Sequence, residues 1–325
     1  MILGIFGSGR ASYLPGHIGR LCGDKLLRHY PTRSIHSNTL FRKTVYVEHR
    51  RWSCQKRGDR KWSQLYRFFT GKLHYNTVSH PKNTIISNIE LSSVNPDGLT
   101  LNVVGNQCQV VNCHFPSTIS TQPGLASISA TDITLNDSTV TNVLFQGVAF
   151  NLNSLATVVV SNCIFTNATN VTAIDVRSQS VSIKISKLTI TGFTYTREPT
   201  LAIAPTNSTI EMSDSHFEGT LQVSTDTWLH PGSILFDLQN SSAVIRNCEF
   251  TNIHGGGGAD FYLEGKSNLT LLDIAANNCS SSSGGALFIN STLQDADQLI
   301  QIENLIAENC HSTGGGGVLK MYANG

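Results

Sequence analysis

The chain has 325 residues, of which 40% are hydrophobic and only 14% charged, with a net charge of +1. That apolar content can bury one or two cores, and so low a charge excludes a charged helical bundle and ordinary disorder. No run approaches the 18 uninterrupted apolar residues of a spanning helix, and the opening Met1 to Phe6 run meets Gly7 and Ser8 before a signal-peptide core could form.

The near-neutral average hides two unlike parts. Residues 1–82 hold 16 of the 23 Lys and Arg against only Asp24, Glu48 and Asp59, a surplus of 13 positive charges, whereas residues 83–325 carry a surplus of 12 negative ones. Within the first part Arg50, Arg51, Lys56, Arg57, Arg60, Lys61 and Arg67 interleave with Trp52, Trp62, Tyr66, Phe68 and Phe69. Basic side chains among stackable rings suit single-stranded nucleic acid, but no RNA- or DNA-binding signature accompanies them, and nucleic acid is not the favoured partner. Arg10 and Arg20 with few acids also fit a targeting segment. The favoured expectation is a poorly ordered basic extension, or a stretch translated from a mispredicted frame, over 1–82.

From Asn83 the pattern changes. Thr84 to Leu91, Leu99 to Val104, Thr157 to Asn162, Val181 to Ser186, Ser208 to Ser213 and Ala243 to Asn247 are short runs with apolar residues at alternate positions, bounded by Gly, Pro, Asn and Ser. Period two over four to eight residues predicts half-buried strands, and no window sustains a helical period with caps. The fold class expected for 83–325 is therefore all-β.

Repeats decide which all-β fold. A Phe recurs shortly after a strand at Phe115, Phe145, Phe165, Phe193, Phe217 and Phe250, and an Asn-Cys pair recurs at Asn112, Asn162, Asn247, Asn278 and Asn309, the last two steps both 31 residues. Such periods mean a solenoid or an array. Propeller and leucine-rich signatures are missing, whereas strands with inward Val, Ile and Leu and small polar residues at bends suit a right-handed parallel β-helix. The 31-residue steps predict that Asn247, Asn278 and Asn309 share one edge, which would stack Cys248, Cys279 and Cys310 as reduced thiols. The marker Phe residues are expected to line up inside.

Asn278 to Phe288, with its Gly284-Gly285-Ala286-Leu287, resembles the Gly-Gly-Ala-Ile/Leu repeat of polymorphic outer-membrane proteins and similar parallel β-helix surface proteins, and Phe165 to Asn167 and Phe250 to Asn252 are similar to their Phe-x-x-Asn element. The resemblance is generic over 83–325 and specific over 247–325. It implies a secreted or cell-surface, adhesin-like module without catalytic activity, binding a glycan or a protein surface. Such proteins end in a membrane anchor, so a chain stopping at Gly325 is expected to be truncated at its C-terminus, leaving an open solenoid end at Val318 to Tyr322 through which copies could associate.

The rival expectation is a polysaccharide lyase or glycoside hydrolase on the same fold, which needs convergent carboxylates or an acidic Ca2+ cluster. Asp175 and Arg177 alternate with Ile174 and Val176, so both face outward and read as an external ion pair. Asn95-Pro96-Asp97-Gly98 reads as a turn, and Asp295 and Asp297 as a solvated loop. His114, His216, His230, His254 and His311 fall at unrelated offsets, and no Cys-x-x-Cys suggests zinc. The glycine runs Gly255 to Gly258 and Gly314 to Gly317 lack the Lys-Ser/Thr of a phosphate loop and read as turns or close-packing points. Eight Asn-x-Ser/Thr sequons, at Asn136, Asn167, Asn170, Asn207, Asn240, Asn268, Asn278 and Asn290, are compatible with a secreted glycoprotein. No catalytic, cofactor-binding or metal-binding residue is assigned.

Overall fold

The structure, a computed structural model, describes residues 35–36, 44–47, 67–70, 73–76, 83–92, 101–116, 124–195, 199–222, 233–282, 284–292 and 298–324. Among the described residues there is no helix, and the chain winds as a parallel β-solenoid. Alternating sequence produces this because every strand has one apolar side to bury and pairs in parallel with the strand a full turn away.

Three sheets line the walls. Sheet I stacks 101–105, 124–130, 148–154, 171–176, Leu201–Ile203, Ile234–Gln239, Ala259–Glu264, Leu287–Thr292 and Leu319–Asn324. Sheet II stacks Asn83–Ser87, 107–111, 132–136, 157–161, Ser182–Ser186, Thr209–Ser213, 242–246, 268–272 and 299–303, so its ladder is nine strands deep. Sheet III runs from Ile89–Ser92 through His114–Pro116, 139–141, 164–166, Thr189–Thr191, His216–Glu218, 249–251 and 275–277 to 306–308. Arg67–Thr70 pairs in parallel with Ile89–Ser92, which carries the ladder back across the composition break at residue 82. The basic and aromatic residues of 50–66 lie outside the described residues.

The inward side chains form one continuous apolar core. Phe115, Phe165, Phe217 and Phe250 share a single inward column of sheet III, with Val140 and Ile190 between them. Phe217 and Phe250 stack at 5.5 Å and 16°, and Phe236 and Phe261 of sheet I stack at 5.1 Å and 11°. Phe193 is buried but sits beyond the next corner, and the side chain of Phe145 lies outside the described residues. Each fully buried Phe is worth about 1.5–3 kcal/mol over an exposed one.

Corners set the register. Between sheets II and III, Asn88, Asn112, Asp137, Asn162, Lys187, Asp214, Asn247, Asp273 and Asn304 all hold φ between 50 and 55°. Asn and Asp dominate because they tolerate the left-handed region that other side chains avoid. Their side chains tie successive turns: Asn112 Nδ2 donates to Asn88 Oδ1 (2.7 Å), Asn162 to Asp137 (2.6 Å), Asn247 to Asp214 (2.6 Å) and Asn304 to Asp273 (2.9 Å).

The expectation that Asn247, Asn278 and Asn309 share one edge is wrong. Asn247 belongs to the corner just described, where the next turn supplies Asp273, 26 residues on. Asn278 and Asn309 belong to a second corner after sheet III, with Asn142, Asn167, Gly192, Gly219 and Asn252. Cys248 consequently stands opposite Ile274, and the expected three-cysteine stack reduces to Cys279 and Cys310. Both corners need a left-handed residue followed by an inward one, so the same dipeptide serves at either, and a 31-residue step that is one turn for Asn278 to Asn309 is a turn plus a sheet for Asn247 to Asn278.

A third corner, between sheets I and II, places Ser180, Asn207, Asn240 and Gly265 at φ of 48–60°. Behind it runs a buried serine ladder: Val181 N–H donates to Ser208 Oγ, Ser208 N–H to Ser241 Oγ and Ser241 N–H to Ser267 Oγ, at 3.0–3.1 Å. The glycine runs meet at the entry to sheet I, where Gly257, Gly285 and Gly317 fall in register, since Ala259, Leu287 and Leu319 pair in sequence. A Cβ on Gly285 would lie 2.2 Å from the Gly317 carbonyl oxygen, so these glycines are close-packing points.

Candidate binding strip on sheet I

Sheets II and III present mostly Ser, Thr, Val and scattered charges outward, whereas sheet I collects carboxylates and rings. Its in-register pairing builds two outward columns. The first runs Asn151, Asp175, Ala202, Leu235, Asp260, Phe288 and Lys320. The second, two residues further along each strand, contains Asp237, Tyr262, Asn290 and Tyr322.

Asp175 and Arg177 form the expected outward pair, Arg177 Nε to Asp175 Oδ1 at 3.1 Å, but only one partner is solvated. The Arg177 side chain is 68% exposed and that of Asp175 only 8%. All six residues of 171–176 are buried, so the strand is covered on both sides, which alternation cannot reveal. Burial pushes the Asp175 carboxyl above the usual carboxylate range, and the Arg177 guanidinium partly offsets it. The Asp237 carboxyl is also raised by burial and drawn down by Arg177. Asp260 is buried on the same face.

The rings lie among these acids. Tyr262 and Phe288 have centroids 5.9 Å apart at 59°, and Phe288 and Tyr322 5.7 Å apart at 70°. Phe288 is 8% exposed and wedges between the tyrosines. Burial first, then the charges of Asp260 and Asp237, push the Tyr262 phenol up to about 12, so it stays protonated and keeps a donor. Lys320 Nζ donates to the Gly314 carbonyl at 3.2 Å and lies 4.9 Å from the Tyr322 ring centre. Asn290 Oδ1 is buried and accepts no hydrogen bond.

The other candidates stay apart. His216 sits on sheet III between Glu249 (3.1 Å) and Glu218 (3.3 Å), His114 bonds Thr139 Oγ1, and His254 bonds Ser280 Oγ at 3.0 Å. His230, Asp97, Asp295 and Asp297 lie outside the described residues. Among the described residues no group of three or more His, Cys, Asp or Glu is placed to hold a metal ion. Of the sequon asparagines, Asn136, Asn167 and Asn278 use their Nδ2 in side-chain bonds, while Asn207 and Asn240 are exposed at the third corner.

Sequence reasoning missed Asp237, Asp260, Tyr262, Phe288, Asn290 and Tyr322. The signal was present in the glycine runs: aligning Gly257, Gly285 and Gly317 brings Ala259-Asp260-Phe261-Tyr262, Leu287-Phe288-Ile289-Asn290 and Leu319-Lys320-Met321-Tyr322 into register. No protein family, no curated protein and no solved structure matches this chain.

Proposed function

We propose that the protein is a non-catalytic β-solenoid module of the cell surface or extracellular space, with an adhesin-like or structural binding role. The observation that carries this reading is the row Asp237, Tyr262, Asn290 and Tyr322, which offers carboxylate, phenol and carboxamide groups one turn apart on one wall. Rings with polar handles are the side chains enriched at recognition surfaces. Kinship with the polymorphic outer-membrane protein repeats belongs to the same proposal. It is supported by the Gly284-Gly285-Ala286 turn, where Gly284 has φ of 71° and Ala286 is fully buried. The exposed sequon asparagines Asn207 and Asn240 are compatible with a secreted glycoprotein.

Binding of the labelled full chain to cultured cells tests the proposal. Saturable binding that Tyr262→Ala reduces supports it, and a chain that binds no cell type or matrix at micromolar concentration counts against it.

A carbohydrate-active enzyme is the second reading, favoured by one observation: Asp175 and Asp237 are both held toward the protonated form beside Arg177, as a general acid would need. Release of product from pectic or other glycans, with or without Ca2+, abolished by Asp175→Ala, would replace the first reading by this one.

A further inference from the structure

We infer that the Asp237, Tyr262, Asn290 and Tyr322 row binds a neutral glycan chain laid along the solenoid axis; this rests on the reading of the protein as a binding module. Parallel in-register strands repeat about every 4.8 Å, so each turn offers one side chain to each successive stretch of an extended ligand lying on sheet I. A sugar chain is a ligand of that kind, with hydroxyl groups at its edges and C–H groups on its ring faces.

The side chains match both parts. Tyr262 and Tyr322 are separated by Phe288 and tilted against it by 59° and 70°, so no ring covers the face of its neighbour as in a parallel stack. Asp237 offers carboxylate oxygens and Tyr262 a protonated hydroxyl. Asn290 Oδ1 lies between the tyrosines, buried and without a donor. A buried acceptor left unpaired is costly, so a turn of the Asn290 carboxamide that brings Oδ1 out to a sugar hydroxyl would be favoured on binding.

Charge narrows the class. Asp175, Asp237 and Asp260 share the wall, while the nearby cations already have partners: Arg177 is on Asp175, and Lys320 is on the Gly314 carbonyl and the Tyr322 ring. The three carboxylates still outnumber the two cations, so uronate or sulfated chains would meet net negative charge in a partly desolvated site. The ligand class is therefore a neutral, hydroxyl-rich oligosaccharide.

Calorimetric titration of the full chain, produced in bacteria so that Asn290 carries no glycan, tests the inference. The probes are cellohexaose, mannohexaose and N-acetylchitohexaose, with hexagalacturonate as the charged comparison. Binding of at least one neutral hexasaccharide is expected, weakened about tenfold by Tyr262→Ala or by Asn290→Ala, each about 1.4 kcal/mol. The exposed Leu155→Ala change, at the corner between sheets I and II, should leave it unaltered, and thermal melts check that every variant is folded. No binding of any neutral probe, preference for hexagalacturonate, or affinity that survives both strip variants overturns it. If the chain binds cells but neutral sugars neither bind nor compete, this inference fails alone; if cell binding is also lacking, the binding-module reading fails with it.

Discussion

Ser138 and Cys163 occupy the same inward place on successive turns, and each turns its side chain to the carbonyl two residues back: Ser138 Oγ to Asn136 O at 2.9 Å, Cys163 Sγ to Ser161 O at 3.2 Å. Ser215 and Cys248 repeat the relationship at the same corner, to Ser213 O at 2.8 Å and Arg246 O at 3.3 Å. Thiol and hydroxyl are thus interchangeable fillers behind a left-handed Asn or Asp. Ser138 Oγ also accepts the buried Cys113 N–H at 3.2 Å, and the Cys163 thiol takes the same place toward the Ser138 backbone one turn on. Cys163→Ser should cost less than about 1 kcal/mol, while Ser138→Ala, which leaves that N–H unpaired, should cost about 1–3 kcal/mol. Urea denaturation of the two variants compares them directly, and equal losses would contradict the assigned roles.

The glycine turns give a second contrast. Gly285→Ala would drive a Cβ to 2.2 Å from Gly317 O and 2.6 Å from His311 O, whereas a Cβ on Gly315 meets nothing within 4 Å and suffers only from its φ of +99°. Backbone cannot yield as a flexible side chain can. The expected loss at Gly315 is about 1–2 kcal/mol and that at Gly285 clearly larger, readable as melting temperatures.

Acid should act oppositely on two carboxylates. Asn247 Nδ2, then Ser213, hold the exposed Asp214 below the usual carboxylate range, so its contribution is present above the unfolded pKa and is lost as pH falls through the lower folded value. Asp237 is raised by burial, so its contribution is full below the unfolded pKa and is lost as pH rises through the folded one. Asn247→Ala should move the Asp214 titration up toward an ordinary value in carboxyl-detected NMR. Asp237→Asn should stabilise the fold at pH 7 and do little near pH 3. A stabilisation of equal size at both pH values would remove Asp237 from this account.

Thiol chemistry should separate Cys310 from its neighbour. Burial pushes the Cys279 thiol up to about 12, with the Cys310 thiol adding to the shift, and Cys163 and Cys248 rise to about 11. Cys310 is half-buried and donates to Glu308 O at 3.3 Å. Because the thiolate is the nucleophile, iodoacetamide should label Cys310 in the native chain and Cys279 only after denaturation. Peptide mapping that finds Cys279 labelled first would show that this corner opens.

The wall was legible in the sequence because alternation is a local signal: Ile183 and Ile185 inward, Lys184 outward, can be read from five residues. Register was not legible. Asn247 and Asn278 carry the same dipeptide at different corners, and at the first corner chemically equivalent pairs such as Asp137-Ser138 and Asp214-Ser215 hide the true repeat from a search for identical letters. The strip failed to emerge for the same reason. Asp237, Tyr262 and Asn290 become neighbours only when turns of unequal length are aligned, and the burial of Asp175 depends on cover that alternation does not encode.

Unequal turns also show where this chain can change. Leu221 pairs with His254 and Ile234 with Ala259, yet thirteen positions separate the first member of each pair and only five the second. Leu263 pairs with Ser291 and Asn268 with Leu299, with five positions against eight. The first surplus falls just before sheet I and the second just after it, while the corner between sheets II and III keeps a single residue from Asn88 to Asn304. Insertions and deletions are thus confined to the borders of the wall that carries the tyrosines. Related chains could redraw the rim of the strip, and with it what the strip admits, while every ladder behind it remained in step.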